Sequence, residues 1–155
     1  MKELIIESVN TSTNLDQTFT NLSQVLEEVR MSKSPRIGYV AGIITSDGSE
    51  LIEKNIEILR LYTNLIRVQS GIPTFCASDV FGHGLYERLE EMKLSYSERE
   101  PKFVNFWRKV LTSGHVTDIF MTPGWTRSNG ARDEHSLSKE INLRLFYINP
   151  LINTD

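Results

Sequence analysis

Cysteine is almost missing from this chain: Cys76 is the only one. That excludes a disulfide framework and any multi-cysteine metal site. Its setting in an apolar run marks it as a small core residue. Long hydrophobic runs are missing too, and none approaches the roughly 18 residues of a membrane span. Residues 1–9 carry Glu3 and Glu7, with no cleavage pattern after them, so no secretory signal is expected. Nor does one sign of charge dominate. With 17 Lys and Arg against 20 Asp and Glu, the net charge is −3 and the pI about 5.7, which gives no footprint for duplex nucleic acid. Small phosphorylated ligands stay open, because a few local donors suffice for them. The expectation is a protein of the cytoplasm that needs no membrane.

Several familiar motifs are absent as well. Gly38 and Gly42 bracket Tyr39-Val-Ala, but the spacing falls short of GxGxxG and no acidic residue ends the second strand in the dinucleotide pattern. A GxxxxGK[ST] phosphate loop and a GxSxG elbow are also lacking. His83, His115 and His135 show no ligand spacing. His135 adjoins Glu134, yet neighbours on a helix diverge by about 100°. Neither a metal nor a cofactor is expected.

What is present is an alternation of apolar strands and amphipathic helices. The 155 residues, 39% of them hydrophobic, suit one globular unit with a real core. Residues 1–35 read as a leader: a β-like run at Leu4-Ile-Ile6, a polar stretch, then a helix. That helix shows Leu15, Phe19, Leu22, Leu26 and Val29 on one face, with Thr13 or Asn14 as its cap. It either packs on its own body or serves dimerisation. Ser32-Lys-Ser-Pro35 breaks the pattern. The body, residues 36–155, opens with a strand over 36–44, apolar enough to be buried on both faces. Ser49 is placed to cap a helix that packs through Ile52, Ile56, Leu59, Tyr62 and Ile66, and Gly71 stops it. A second strand spans 73–77. Leu85, Leu89 and Met92 suggest a helix, 93–100 an exposed loop, and 101–112 a helix with Phe103, Phe106, Trp107 and Val110 inward. Strands over 116–121 and 143–148 complete an α/β fold. Such an order implies right-handed crossovers and a parallel sheet of four to five strands between helical layers.

The loop Thr122-Pro-Gly-Trp-Thr-Arg-Ser-Asn-Gly-Ala-Arg-Asp-Glu134 carries the strongest chemical signal. A strand, a turn with Gly124, and a helix start build a polar pocket at the carboxyl edge of a parallel sheet. Glu134 stands three residues before Leu137 and seven before Ile141, so it shares their inward face. A carboxylate there suits a nucleophile or general base. Ser128, Asn129 and Gly130 offer hydroxyl, amide and backbone N–H groups to an anion, although Ser128 or Asn129 would equally serve as a helix cap. Trp125 suits stacking on a planar ligand or plugging the sheet edge. Tyr39 is a core residue unless it faces the crevice, where its hydroxyl would bond a carboxylate. Asp79 follows the second strand at the same edge, as a turn cap or a site residue.

Taken together, Tyr39-Val-Ala-Gly42, Pro123-Gly-Trp125, Ser128 and Gly130-Ala-Arg-Asp-Glu134 resemble the nucleoside 2-deoxyribosyltransferase-like superfamily. The nearest likeness is to its small branch with a PGW..S.GA..E turn. The likeness covers residues 36–148 and omits the leader. It implies a flavodoxin-like three-layer fold and cleavage of an N-glycosidic bond. By that resemblance Glu134 attacks the anomeric carbon, and Tyr39 orients it. Residues around Ser128 and Gly130, Asn129 among them, hold a 5′-hydroxyl or 5′-phosphate, Trp125 flanks sugar or base, and Gly42 and Gly124 belong to the substrate-binding site. The resemblance also implies a homo-oligomer. One departure stands out: active members often carry an aspartate in the helix before the third strand, while Asn105–Leu111 holds no acid. Asp79 is the candidate substitute. A non-catalytic module binding a nucleotide-like ligand is the alternative.

Overall fold

The computed structural model describes residues 1–150. A four-stranded, all-parallel sheet lies at its centre, with strands β1 (Gly38–Ala41), β2 (Thr74–Cys76), β3 (Asp118–Met121) and β4 (Arg144–Tyr147) in the order β2-β1-β3-β4. Helices α1 (Lys2–Val9) and α2 (Leu15–Ser32) precede it. The helix α3 (Ile52–Ser70) links β1 to β2, and α4 (Ala77–Phe81), α5 (Leu85–Arg88) and α6 (Tyr96–Thr112) link β2 to β3. Finally α7 (Asn129–Glu140) links β3 to β4. This is a Rossmann-like, flavodoxin-like three-layer arrangement, with the parallel, doubly covered sheet that the alternating pattern implied and the flavodoxin-like fold that the resemblance implied.

Side-chain alternation along the strands divides the core in two. Tyr39, Ala41, Phe75, Ile119 and Met121 point to one face and join the residues of α1, α2, α6 and α7 in the main cluster. Val40, Cys76 and Phe120 point to the other and meet only Leu59 and Ile66 of α3, with Ile44 and Ile148 at the margin. Right-handed crossovers account for the division: the chain moves one way from β1 to β2 and the opposite way from β2 through β3 to β4. β4 is the thin edge. Phe146 stacks on Phe120 at 5.0 Å between ring centroids yet stays half exposed.

Several expectations are corrected. The Leu4-Ile-Ile6 run is helical, in α1, and buries Ile5 and Val9 rather than adding a strand. A run of three apolar residues fits either period, and contact with α2 and α4 decides it for helix. The leader packs on its own body: Leu22, Leu26 and Val29 of α2 are buried in the main core. Asn14 caps α2 by accepting from the Gln17 N–H at 2.8 Å. The first strand is shorter than 36–44, and the second ends at Cys76 where α4 begins. Ser49 is not a side-chain cap; it opens a 3-10 turn, Ser49–Leu51, ahead of α3. Gly71 does end α3, in the left-handed conformation at φ 68°, where a side chain is strained. The helix expected from Leu85 to Met92 is α5 followed by a 3-10 turn, Glu90–Lys93. The loop expected over 93–100 is largely the start of α6. Proline suits the first helical position, which is why 101 looked like the start. Pro101 instead lies in the second turn of α6.

Because the leader is part of the main core, truncating it should unfold the whole molecule. Leu26→Ala should cost about 2–5 kcal/mol in a single cooperative urea transition. Separate transitions for far-UV signal and tryptophan fluorescence would show a leader that melts on its own.

Candidate functional site

The strand order reverses between β1 and β3, and ligands in open α/β sheets bind at the carboxyl ends on either side of such a point. Here β1 runs out through Gly42, and β3 through Thr122. Thr122 donates to the Ala41 carbonyl from both its N–H and its hydroxyl, each at 3.0 Å. This close approach needs Gly42, because a Cβ there would collide with the Thr122 side chain and lie 3.1 Å from Leu59. Above the edge opens a cleft of about 700 Å³, walled by Ile52, Ile56 and Leu59 of α3, Phe103 and Trp107 of α6, and the first turns of α7.

Glu134 lines this cleft and is only 7% exposed. The inward face of α7 is Ala131, Glu134, Leu137 and Ser138, following the helical period. Tyr39 reaches it from β1, with its hydroxyl 3.0 Å from Glu134 Oε1. The Tyr39 ring packs 5.0 Å from Trp107 and 5.3 Å from Phe75, so the phenol is fixed by the core while its oxygen faces the carboxyl. Burial dominates the electrostatics. It pushes the Glu134 carboxyl up to about 8, against the Tyr39 hydrogen bond that lowers it and with help from the neighbouring Asp133 charge. Burial, and then the adjacent carboxylate, raise the Tyr39 phenol well above its usual range, so it stays a donor.

The amino end of α7 forms the adjoining wall. Gly124 at φ 80° turns the chain into the 3-10 turn Trp125–Arg127. Ser128 then caps α7 by accepting from the Ala131 N–H at 3.1 Å, and it also lines the cleft beside Asn129 and Gly130. No acceptor among the described residues meets the N–H groups of Asn129 and Gly130. Two free amides at a helix start favour an anion. The Asn129 side chain is taken up by Arg132, so only its backbone serves the cleft. Asp133, also at the rim, pairs with Arg108 at 2.5 Å.

Three expected site residues lie elsewhere. Gly124 shapes the turn ahead of α7 and does not line the cleft. Asp79 is turned away from the cleft: its carboxylate accepts from the Cys76 N–H at 3.0 Å and pairs with Arg67 at 2.9 Å. It is the cap of α4, which makes it unsuitable as a substitute acid. Trp125 stacks on His135 at 4.1 Å, and His135 Nε2 lies 2.7 Å from the Tyr147 hydroxyl. Trp125 therefore plugs the β4 side of the sheet edge and does not line the cleft. The cleft also holds residues the sequence pattern left out, namely Arg60, Phe81, Tyr86, Glu87 and Glu100. Glu100 was legible in principle. It lies three residues before Phe103 and seven before Trp107, the same spacing that exposes Glu134, but only if α6 is started before Pro101. No family model, no curated protein and no solved structure matches this chain.

The raised Glu134 carboxyl links pH to stability. Between its ordinary value of 4.5 and about 8, the folded state holds a proton that the unfolded state has released. Stability therefore falls as pH rises through that window. Glu134→Gln removes this penalty. The variant should melt about 5–10 °C above the parent at about pH 8 and within about 2 °C of it near pH 4.5. The same offset at both values would mean the carboxyl is not desolvated.

Proposed function

We propose that this protein cleaves or transfers at the N-glycosidic bond of a nucleoside or nucleoside 5′-monophosphate, with Glu134 as the nucleophile. The observation that carries this reading is the buried Glu134–Tyr39 pair, 3.0 Å apart, at the wall of a cleft large enough for such a ligand. The resemblance of the 123–134 turn to the nucleoside 2-deoxyribosyltransferase-like superfamily points the same way. Tyr39 holds Oε1, which leaves Oε2 to face a sugar. An ionised Oε2 attacks the anomeric carbon, the carbon–nitrogen bond breaks, and its electron pair leaves with the base, which takes up a proton. Water or a second base then opens the glycosyl ester and frees the carboxylate. The N–H groups of Asn129 and Gly130 and the Ser128 hydroxyl suit a 5′-phosphate or 5′-hydroxyl.

A specific observation favours the second reading, a non-catalytic module that binds a nucleotide-like ligand. With its carboxyl near 8, Glu134 is mostly neutral at pH 7, and a neutral carboxyl is a poor nucleophile. The two readings differ in their pH behaviour. An enzyme of this design gains activity as pH rises toward about 8 and then levels off. A homo-oligomer accords with the apolar side chains left exposed on α3 and β4, Leu61, Val68 and Phe146, and solution mass measures it. The reading suits a cytoplasmic role in nucleotide metabolism.

Free-base release from ribo- and deoxynucleosides and their 5′-monophosphates tests the proposal, with and without an acceptor base. Glu134→Ala should lower release by at least about 10³-fold, and Tyr39→Phe by about 10–10²-fold. Folded parent protein that releases no base across the panel would leave the binding module as the answer.

A further inference from the structure

The cleft has two chemically different ends. One is the start of α7, with its free N–H groups. The other, under α4, α5 and the first half of α6, is aromatic, with two carboxylates and two guanidiniums at its edge. Tyr86 and Phe103 lie 5.5 Å apart, and Phe81 sits 5.4 Å from Phe103. Glu87 and Glu100 edge this end of the cleft, and neither has a hydrogen bond or ion pair among the described residues. The nearby guanidiniums form no ion pair with them among the described residues. Arg99 lies over the Tyr96 ring at 5.7 Å and donates to the Leu94 carbonyl, while Arg60 approaches from α3 beside Gly82.

Glu100, Phe103 and Trp107 form one stripe of α6 facing the cleft. Trp107 packs on Tyr39, which holds Glu134. Glu100 stands seven positions before Trp107, about 10 Å along the axis of α6, and the cleft of about 700 Å³ that both line is large enough for a two-ring base with its sugar. The free N–H groups at the start of α7 take the phosphate, so a nucleotide lies with its phosphate toward α7 and its base toward α6. An ionised carboxylate only accepts hydrogen bonds, and its two oxygens match two donors placed side by side.

We propose that this outer end is a subsite for a purine with two adjacent N–H donors, guanine being the common one. The packed Tyr86–Phe103 pair supplies a single aromatic wall for the base, and Glu100 accepts from N1–H and the 2-amino group. This rests on the nucleoside reading of the same cleft.

The test is equilibrium binding to the Glu134→Gln variant, followed by tryptophan fluorescence, with guanosine and with inosine, which lacks only the 2-amino group. Inosine should bind about tenfold more weakly. Adding Glu100→Gln should weaken guanosine about tenfold and leave inosine within about twofold, with thermal melts confirming both variants fold. Glu87→Gln, at a more exposed position, should change both ligands by about twofold or less. Equal affinity for the two nucleosides, a preference that survives Glu100→Gln, or no nucleoside binding overturns the subsite. The two proposals fail separately. Guanosine bound selectively but never cleaved by the parent leaves the subsite and removes the glycosidic chemistry. Base release with no preference among purines does the reverse.

Discussion

The arrangement depends on one constraint, a carboxyl buried against a phenol at the point where the strand order reverses. An isolated buried carboxylate is expensive to hold in an apolar setting, so Glu134 needs both a partner and a proton that comes off only near pH 8. Tyr39 supplies the partner. For its hydroxyl to arrive there, β1 must be a central strand with its odd-numbered residues on the α6–α7 side. α7 must also begin where it does, at the Ser128 cap. A slip of one residue at that cap would turn Glu134 by about 100° and leave the Tyr39 oxygen facing nothing. Trp107 then closes over the phenol ring, so the register of α6 is tied to the same pair.

The leader takes part in this less directly. Arg88 donates to the Asn10 carbonyl at 2.7 Å, and the Glu90 N–H donates to the Thr13 carbonyl at 2.8 Å. The Glu91 carboxylate accepts from the Leu15 N–H at 2.6 Å, satisfying an orphan donor at the start of α2 and complementing its positive end. These contacts tie the 3-10 turn after α5 to residues 10–15. The outer wall of the cleft is therefore held by a segment far away in sequence, and the leader is a structural part of the site's surroundings. The two sheet faces are unequal for a related reason. Four helices cover one, while α3 alone covers the other, and the β4 end of that second face keeps Phe146 half exposed.

The raised Glu134 carboxyl and the free N–H groups of α7 put opposite demands on a ligand. Desolvation favours a neutral group beside Glu134, and positive charge only once the carboxyl has ionised, whereas the helix start favours an anion. A nucleoside 5′-monophosphate answers both, with positive charge building at its anomeric carbon as the bond breaks and negative charge on its phosphate. The same molecule has a planar base for the aromatic end. These three demands stand beside the Glu134–Tyr39 pair as the grounds on which a nucleotide-like ligand is proposed.

Periodicity is a local property, and wherever it was strong the sequence by itself determined the outcome. The presence of apolar strands within 36–44 and 116–121, the face of α3, the leader helix, the stop at Gly71 and the inward face of Glu134 all follow from patterns within one element. What only the tertiary structure decided involved partners distant in the chain. Asp79 is a cap because Arg67 and the Cys76 N–H claim it, and Trp125 is a plug because His135 and Tyr147 stack beside it. Leu4-Ile-Ile6 is helical because α2 and α4 receive its apolar face. Glu100 faces the cleft because α6 continues through Pro101. The meeting of Tyr39 with Glu134, 95 residues apart, could be anticipated only through resemblance, because spacing within an element carries no information about which two elements will be neighbours.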